Sequence, residues 1–495
     1  MTERGVLNKA DVPRLADAVM EVLERVGVLC QNDEILAALA DAGAQVDRQR
    51  QLVRFPRALV ERYADEWRRE AQAGQGREPE LFSQFGRAQS EDERSAAQQA
   101  HSGWFKPAAL PVFGTQVAQF VYDDETGERR PGNCRDFIRL IQLADVLHPE
   151  MPAGHSLLLE DVPPLLEPLE AALLLAEYAH RPGPAFAWNV RQIDYLSEMG
   201  EMLGIPDWFD WGAICFAHPL RFDKDVADKL VQRVRSGEPT GLTSMAIAGV
   251  SAPVTVAGFV VVAAAEFIAT WIAARTINPA VPLGGSMWGG AVDMRTGAVS
   301  YCSPDAMVRA FATVEFLEHW CGTRVAVGGG EYCDAREPGW YATLEKAYKA
   351  MTIAAFTGQY PMLGQGMLEC GKTISAAQLL IERDWAAGTN LLGAPIEVTP
   401  ETIALDAILE VGIGLEHNHL ETEHTLRHFR RTLWAPALFD RSGWNGPASD
   451  EALLSRARAR VEELLASYRK PDVDPDVLAH MRQVVERARG ELLDQ

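Results

Sequence analysis

The sequence feature that most constrains the fold is an alternation of short apolar runs with longer amphipathic segments, clearest between residues 251 and 373. In that stretch SAPVTVAG, NPAVPLGGSMWGG and RVAVGGGEYCDAREPGW place glycine, polar or aromatic residues beside or directly after apolar runs. Short apolar runs bounded by turn residues are typical of buried strands, and the segments between them have helical spacing. The alternation therefore predicts an α/β protein built from strand–helix units.

Eight strand–helix pairs can be assigned along the chain. We expect strands near residues 109–115, 153–159, 184–190, 211–217, 240–248, 281–287, 323–329 and 360–367. The helices are expected near 133–147, 163–180, 191–203, 223–236, 254–276, 303–320, 340–357 and 374–391. Because eight parallel pairs close a barrel, the sequence predicts a (β/α)8 TIM barrel over residues 109–400. An N-terminal helical region with a polar linker (1–108) and a C-terminal helical extension (401–495) complete the expected organisation.

Composition disfavours some classes of function. The chain of 495 residues is 47% hydrophobic, enough for a large core, and its net charge of −22 disfavours nucleic acid or an anionic membrane as a partner. The seven cysteines are scattered without a CxxC pair, and the N-terminus shows no apolar signal segment. These features predict free thiols in a reducing compartment and a cytoplasmic location.

One segment, residues 254–277, is long and apolar enough to resemble a membrane span. It is interrupted by Glu266 and Arg275, and a carboxylate is rare in the middle of a transmembrane helix. We therefore expect a helix buried against the barrel or against another subunit, and a homo-oligomer is expected on the same ground.

The aromatic residues after the predicted strands suggest a ligand. Trp188, Trp288 and Tyr332 come from three different strand ends, and Trp340 follows shortly after. Ring faces attract a cation that cannot donate hydrogen bonds, and the carboxylate of Glu331 would add long-range attraction. The pattern predicts a box for a quaternary ammonium group, with simple packing in the barrel wall as the alternative for each ring.

Three other motifs keep alternatives open. Gly366 to Thr373 formally matches a phosphate-binding loop, but the intervening residues include Glu369 and lack further glycines. Four histidines at positions 417, 419, 424 and 428 could form a metal site, although no HExxH pattern is present and packing is the simpler interpretation. We expect no metal. The three glycines at 328–330 would suit close approach of a flat cofactor, or only a turn.

Several ordered motifs carry a resemblance to a known family. NPAVPLGGSMWGGAVDMRTG, GGGEYCDAREPGWYATLEKA, GQGMLECGKTISAAQLLIERD and HTLRHFRRTLWAPALFDR are similar to segments of the trimethylamine methyltransferase family. SAPVTVAG, VYDDETGERRPGNCRDF and HPLRFDKDVADKL extend the resemblance toward the N-terminus. It covers the chain from about residue 8 to the end and is weakest across residues 69–108.

The resemblance implies a TIM barrel that moves a methyl group from a methylated amine to the cobalt of a cobalamin held by a separate corrinoid protein. The founding members carry pyrrolysine, whereas this chain contains only ordinary residues and resembles the non-pyrrolysine branch. Members of that branch act on quaternary amines such as glycine betaine, proline betaine or carnitine. The implied cofactor is cob(I)alamin, converted to methylcobalamin on the corrinoid protein, and no tightly bound cofactor is expected on this chain.

Barrel position then suggests roles for individual residues. The substrate-binding candidates are Trp188, Trp288, Tyr332 and Trp340 around the cation, Glu331 for attraction, and His155, His218 and Gln365 for a substrate carboxylate. The candidates for close approach of the corrinoid are Gly289, Gly290, Gly328, Gly329 and Gly330. A different acceptor such as tetrahydrofolate, a non-catalytic barrel that binds a methylated cation, and a metal-dependent hydrolase stay open as alternatives.

Overall fold

The computed structural model describes residues 5–73, 114, 116–358 and 363–493. All eight helices predicted between residues 133 and 391 are present, most within a few residues of the expected ends. Local capping fixes some starts; Asn133, for example, forms a capping box with Asp136. The helices are Val12–Arg25, Asp33–Asp41, Arg57–Gln72, Cys134–Leu147, Glu167–Tyr178, Ile193–Met202, Lys224–Arg235, Val256–Ile277, Pro304–Cys321, Trp340–Thr357, Ala376–Thr389, Pro400–Ile403, Leu405–Val411, Glu423–Thr432, Pro447–Ser467 and Pro475–Leu493.

The strands are much shorter than the apolar runs suggested, because only two to four residues of each run pair with a neighbour. They are Val28–Cys30, Gln45–Asp47, Leu52–Arg54, Phe120–Asp123, Glu128–Pro131, Ala185–Phe186, Phe209–Asp210, Arg221–Phe222, Leu242–Ser244, Ile247–Ala248, Gly285–Met287, Gly290–Val292, Val299–Ser300, Ala326–Val327, Met367–Leu368 and Thr373–Ile374. The first predicted strand, 109–115, lies outside the described residues except for residue 114, as does most of the predicted linker.

Successive strand segments pair in parallel and in chain order, as strand–helix units do. The parallel pairs join residue 118 with 157, 153 with 182, 185–186 with 209–210, 214 with 242, 242–244 with 285–287, and 286–287 with 326–327. The prediction of an α/β fold with parallel strands is therefore confirmed.

The closed eight-stranded barrel is not observed. Among the described residues, no strand pairing joins Ala326–Val327 to the segment that begins at residue 363. Gly364 and Gly366 have φ of +103° and +73°, so the backbone cannot stay extended through the predicted strand 360–367. The series of parallel pairs is open at this point.

Residues 367–374 form a β-hairpin, which rules out the phosphate-loop interpretation. Met367–Leu368 pairs antiparallel with Thr373–Ile374, and Glu369 and Cys370 occupy the turn. A phosphate loop instead leads from a strand straight into a helix, whose first amides hold the phosphate. Here the Glu369 carboxylate accepts hydrogen bonds from Arg129 and Thr373 and places negative charge at the turn.

The apolar helix Val256–Ile277 is the described helix long and apolar enough to cross a membrane, and most of it is buried inside the protein. It packs against the N-terminal helix Val12–Arg25 and shares a core with it, in which Phe259, Phe267 and Trp271 are fully buried. Other parts of the same chain thus cover this helix, and it no longer supports the expectation of an oligomer.

A second core is built around the C-terminal helices. The C-terminal helices Pro447–Ser467 and Pro475–Leu493 pack against Cys134–Leu147, Glu167–Tyr178, Ile193–Met202 and Ala376–Thr389. Both cores include residues from more than one of the expected regions, and the boundaries at residues 108 and 400 stay predictions.

Candidate active site

The predicted site residues follow the carboxyl ends of the parallel strands. Trp188 lies two residues after the strand Ala185–Phe186, and Trp288 directly follows Gly285–Met287. Glu331 and Tyr332 come just after Ala326–Val327. Because parallel strands end at the same edge, these side chains gather there, as ligand-binding residues do in α/β proteins.

Residues 213–216 alternate in burial, and Ile214 is bridged in parallel to Leu242. Ile214 and Phe216 are buried in the core, whereas Ala213 is exposed and Cys215 is half-buried. Alternate residues of a strand point to opposite faces. Ala213 and Cys215 therefore lie on the face away from the core, and desolvation raises the pKa of the Cys215 thiol to about 11, so it is neutral.

Trp188 is held firmly but keeps an accessible ring. Its indole N–H donates to Glu167 Oε2 at 2.8 Å, and its ring stacks on Phe186 with centroids 5.5 Å apart and 8° between planes. The ring is half-buried, whereas Trp288 and Tyr332 are only 5% and 6% exposed. Donation to a carboxylate polarises the indole, which favours a cation over its face.

His155 contacts the same glutamate. Its Nε2 lies 2.9 Å from Glu167 Oε1 and 3.1 Å from the Leu157 carbonyl oxygen, and the Phe186 amide donates to its Nδ1 at 3.4 Å. The amide requires Nδ1 to be an acceptor, so Nε2 carries the proton and donates it. Both ring nitrogens are thus in use, and the predicted role of His155 in binding a substrate carboxylate is not supported.

His218 is fixed in the same manner. The Met245 amide donates to Nε2 at 3.1 Å, so Nδ1 carries the proton and donates to Glu266 Oε2 at 2.8 Å. Glu266 also accepts the Leu220 amide at 2.9 Å. This explains the lone carboxylate inside the apolar helix Val256–Ile277, and it leaves His218 no free nitrogen for a substrate carboxylate.

Trp288 and Tyr332 form an aromatic corner that already contains a cation. Their rings meet edge to face with centroids 4.6 Å apart, and Trp288 donates to Ser286 Oγ at 2.9 Å. The Lys349 ammonium lies 5.8 Å from the Tyr332 ring centre and donates to the Tyr301 carbonyl oxygen at 2.6 Å. Burial lowers the pKa of Lys349. A second cation in this corner would meet a like charge, which disfavours it.

Glu331 lies next to this corner and is 4% exposed. Burial raises its pKa, and the nearby ammonium groups of Lys349 and Lys346 oppose that rise only in part. Its predicted role in attracting a substrate cation stays a prediction.

The five candidate glycines differ in what surrounds them. A Cβ on Gly328 would lie 1.9 Å from the Trp288 indole nitrogen, and a Cβ on Gly329 would lie 2.8 Å from Lys349 Nζ. One on Gly289 would meet the backbone of the helix Pro304–Cys321, and one on Gly290 the Tyr301 ring. The missing Cβ at these four glycines lets parts of this chain pack together, and the role of all five in the approach of a corrinoid stays a prediction.

Two further candidates lie apart from the aromatic corner. Trp340 packs edge to face on Phe439 at 5.0 Å, against the C-terminal part of the chain. Gln365 is buried between Gly364 and Gly366, whose amides both donate to Glu382. The structure does not bring Trp340 together with Trp188 or Trp288.

Two buried lysines belong to the site but were not predicted from sequence. Lys229 Nζ and the Trp188 ring both lie within 4 Å of the position that a Cβ on Gly212 would occupy. Lys229 donates to the Trp211 carbonyl oxygen at 3.1 Å, and burial lowers its pKa. Lys349 occupies the buried stripe of the helix Trp340–Thr357 with Ala350 and Ile353. A lysine at an apolar position of a helical pattern is the signal that could have revealed both.

One grouping in the described part of the chain has the side chains for a metal ion. Cys302, Asp334 and Glu345 place ligand atoms within 4.8 Å of one another, and we call them the Cys302 cluster. Glu345 already accepts the amides of Asp334 and Ala335, and burial raises the pKa of the Cys302 thiol far above neutrality. The four histidines do not converge in this way: His417 pairs with Glu421 and His428 with Glu401.

Comparison with known proteins identifies the family. The model of the trimethylamine methyltransferase (MTTB) family matches residues 2–492. Trimethylamine methyltransferase MttB2 of Methanosarcina mazei is 27% identical over 95% of this chain and 92% of its own length. Glycine betaine methyltransferase of Desulfitobacterium hafniense is 26% identical over 54% of this chain and 55% of its own length. A crystal structure of the hydroxylamine complex of MtmB is similar with a TM-score of 0.41 and 12% identity, covering 93% of each chain.

These matches confirm the resemblance carried by the sequence motifs. The family match spans almost the whole chain, and the relatives that align with it from end to end are methyltransferases. The protein therefore belongs to the trimethylamine methyltransferase family and is a methyltransferase.

Proposed function

We infer that this protein removes a methyl group from a betaine-type quaternary amine and delivers it to the cobalt of a corrinoid protein. The observation that carries the proposal is the Trp188 ring, which is polarised by Glu167 and only half-buried. The similarity to the family and to a glycine betaine methyltransferase supports the reaction and the substrate class. The eight-fold barrel is proposed on the same basis.

The substrate cation is proposed to bind on Trp188. A quaternary nitrogen has no N–H to donate, so it gains most from ring faces and from the exclusion of water. The Trp288–Tyr332 corner is the poorer choice, because Lys349 already places a positive charge there. Trp288 and Tyr332 then act as a wall that limits where the substrate can lie.

The substrate carboxylate is proposed to bind Lys229. In a betaine the two charges are only a few atoms apart, and the Lys229 ammonium and the Trp188 ring both lie within 4 Å of the position that a Cβ on Gly212 would occupy. One of its three N–H donors is used by the Trp211 carbonyl oxygen among the bonds described. A zwitterion placed across Trp188 and Lys229 would have both of its charges matched.

This arrangement suits a reaction that requires no proton transfer. The departing amine keeps the electron pair of the broken C–N bond and leaves neutral, so no acid needs to protonate it. His155 and His218, with both ring nitrogens engaged, fit a role in holding the site rather than exchanging protons. Cob(I)alamin, when its carrier protein is docked, would supply the nucleophile. The contribution of this chain is to bind and orient the substrate.

The experiment measures the substrate-binding affinity and the steady-state kinetics of the variants with reduced cobalamin as the methyl acceptor. Trp188→Leu should raise the KM for glycine betaine about 30-fold, which corresponds to about 2 kcal/mol for a desolvated cation–π contact. Trp188→Phe should raise the KM by a smaller factor. Trp444→Phe is the matched control, because Trp444 is 65% exposed and far along the chain.

A pair of substrates separates the two charges. Lys229→Met should weaken binding of glycine betaine but not of choline, which has the quaternary nitrogen without the carboxylate. Equal losses for both substrates, or an unchanged KM in Trp188→Leu, would overturn the proposed binding mode.

A further inference from the structure

Glu167 is a buried acid whose described partners all donate hydrogen bonds to it. Its side chain is 4% exposed and lies at the start of the helix Glu167–Tyr178. Oε1 lies 2.9 Å from His155 Nε2 and accepts the Leu159 amide at 3.2 Å, and Oε2 accepts from Trp188 Nε1 at 2.8 Å. Three N–H donors and no acceptor for a proton are the pattern of a carboxylate, not of a protonated carboxyl group.

The negative charge of Glu167 has no cation as its partner among the described residues. The basic side chain in contact with it is His155, and the Phe186 amide donates to His155 Nδ1, so the imidazole is neutral. The helix N-terminus and the three donors stabilise the charge without neutralising it. The rings of Phe137 and Phe186 lie with their centres 5.5 and 6.0 Å from that of His155 and make this end of the site apolar. A charge in such surroundings interacts strongly with a cation that binds nearby.

The Trp188 indole connects this charge to the proposed substrate position. Its pyrrole N–H is bonded to Glu167, and its ring is half-buried. The indole atom closest to the position of a Cβ on Gly212 is Cζ3 of the benzene ring, at 3.6 Å, and Lys229 Nζ lies 3.8 Å from the same position. A zwitterion with its nitrogen toward the pyrrole ring and its carboxylate toward Lys229 would have both charges matched.

The distances allow a strong effect on affinity. A cation–π contact forms within about 6 Å of the ring centre, and the Glu167 carboxylate is 2.8 Å from the indole nitrogen. A cation on the ring therefore lies about 7 Å from the carboxylate. At an effective dielectric constant of about 20, the attraction of two unit charges at about 7 Å corresponds to a roughly 50-fold change in affinity. An uncharged group of the same shape gains nothing from this attraction.

We propose that Glu167 is the counter-charge of the substrate's quaternary ammonium group and selects a cation over an uncharged group of the same shape. It acts through Trp188 without touching the substrate, so it is a positioning residue. This role rests on the betaine-type substrate proposed above. It adds to the proposed binding mode a residue that recognises the charge of the substrate separately from its shape.

The test compares the binding of glycine betaine with that of the anion of tert-butylacetic acid, in which carbon replaces the quaternary nitrogen. The two ligands share their shape and their carboxylate and differ in the positive charge. Their dissociation constants are measured by calorimetry on the full-length protein without cobalamin, so the result does not depend on methyl transfer. We expect the wild type to bind glycine betaine at least about 50-fold more tightly.

Glu167→Gln should lower this ratio about 10-fold to 50-fold by raising the dissociation constant of glycine betaine, with that of the uncharged analogue changed by no more than about 2-fold. Because the new amide has one acceptor oxygen for three donors, it can displace Trp188. The substitution is therefore also made together with Trp188→Phe, which has no N–H, and the ratio should fall by a similar factor relative to Trp188→Phe alone. Glu170→Gln is the matched control, because Glu170 lies in the same helical turn, pairs with Arg489 and should leave the ratio unchanged.

The outcomes separate this role from the proposed reaction. Equal weakening of both ligands would show that Glu167 only holds the structure, and a ratio that survives Glu167→Gln in both backgrounds would show that its charge is not felt; either result overturns the proposal. A wild type that does not bind glycine betaine would overturn it together with the proposed substrate class. The expected ratios without any methyl transfer to cobalamin would overturn the proposed reaction alone and support the role of Glu167.

Discussion

The buried ion pair between Lys346 and Glu382 gives the sharpest prediction about how the site is held together. The two side chains are 0% and 1% exposed and bond to each other. Glu382 Oε2 also accepts the amides of Gly364 and Gly366 at 3.1 and 3.2 Å, on either side of Gln365. The pair therefore fixes the backbone at the open end of the strand series.

The expected loss in the free energy of unfolding depends on which buried group each substitution leaves without its partner. Lys346→Met leaves a buried carboxylate with only two amide donors, and removal of one partner from a buried pair costs about 3–5 kcal/mol. Glu382→Gln keeps an acceptor for the amides but leaves the ammonium unpaired, and we expect a loss of about 3 kcal/mol. The double variant removes both charges and keeps the acceptor, so it should lose only about 1–2 kcal/mol.

The assay is urea denaturation followed by circular dichroism. The free energies of unfolding of the three variants are compared with the same dependence on urea concentration. Lys470→Met is the control, because Lys470 pairs with Glu177 at the surface and should cost less than about 1 kcal/mol. If the double variant loses as much as the sum of the two single variants, the pair is not coupled and the reasoning is wrong.

Two further predictions follow from buried groups. Burial raises the pKa of Asp210 from 3.8 to about 6, so the folded state holds this proton more tightly than the unfolded chain does. The stabilisation is complete below about pH 3.8 and is lost as the pH rises through about 6. The free energy of unfolding should therefore fall by up to about 3 kcal/mol across this range, and this fall should be absent in Asp210→Asn. Metal analysis of the purified protein should find less than stoichiometric zinc, because burial disfavours the Cys302 thiolate that a zinc ion requires and Glu345 already accepts two amides. Stoichiometric zinc that is lost in Cys302→Ser would contradict this.

The helices could be predicted from sequence because their apolar spacing is local. Pro304–Cys321, Trp340–Thr357 and Ala376–Thr389 begin and end close to the positions that periodicity indicates. The strands could not be predicted as well, because pairing depends on distant partners. The parallel pair of Val28–Cys30 with Arg221–Phe222 joins segments almost 200 residues apart. The sequence of neither segment indicates the other as its partner.

In the site, too, the positions of residues along the chain could be predicted, whereas their contacts with distant residues could not. The positions of Trp188 and Trp288 after their strands follow from the α/β pattern. The contacts that each side chain makes cannot be predicted from this pattern. Only the structure shows that Glu167 engages both His155 and Trp188, and that Lys349 reaches the Tyr332 ring. A polar residue at an apolar helical position indicates a buried partner, but it does not identify that partner.

The most direct measurement of the central claim is the cobalt absorption spectrum of reduced cobalamin mixed with the protein and glycine betaine. We expect a spectral change that requires the protein, with one dimethylglycine released for each cobalt methylated. The change should be slower in Trp188→Leu at limiting substrate and unaltered in Trp444→Phe. A spectrum that stays constant with glycine betaine, proline betaine and carnitine alike would contradict the account.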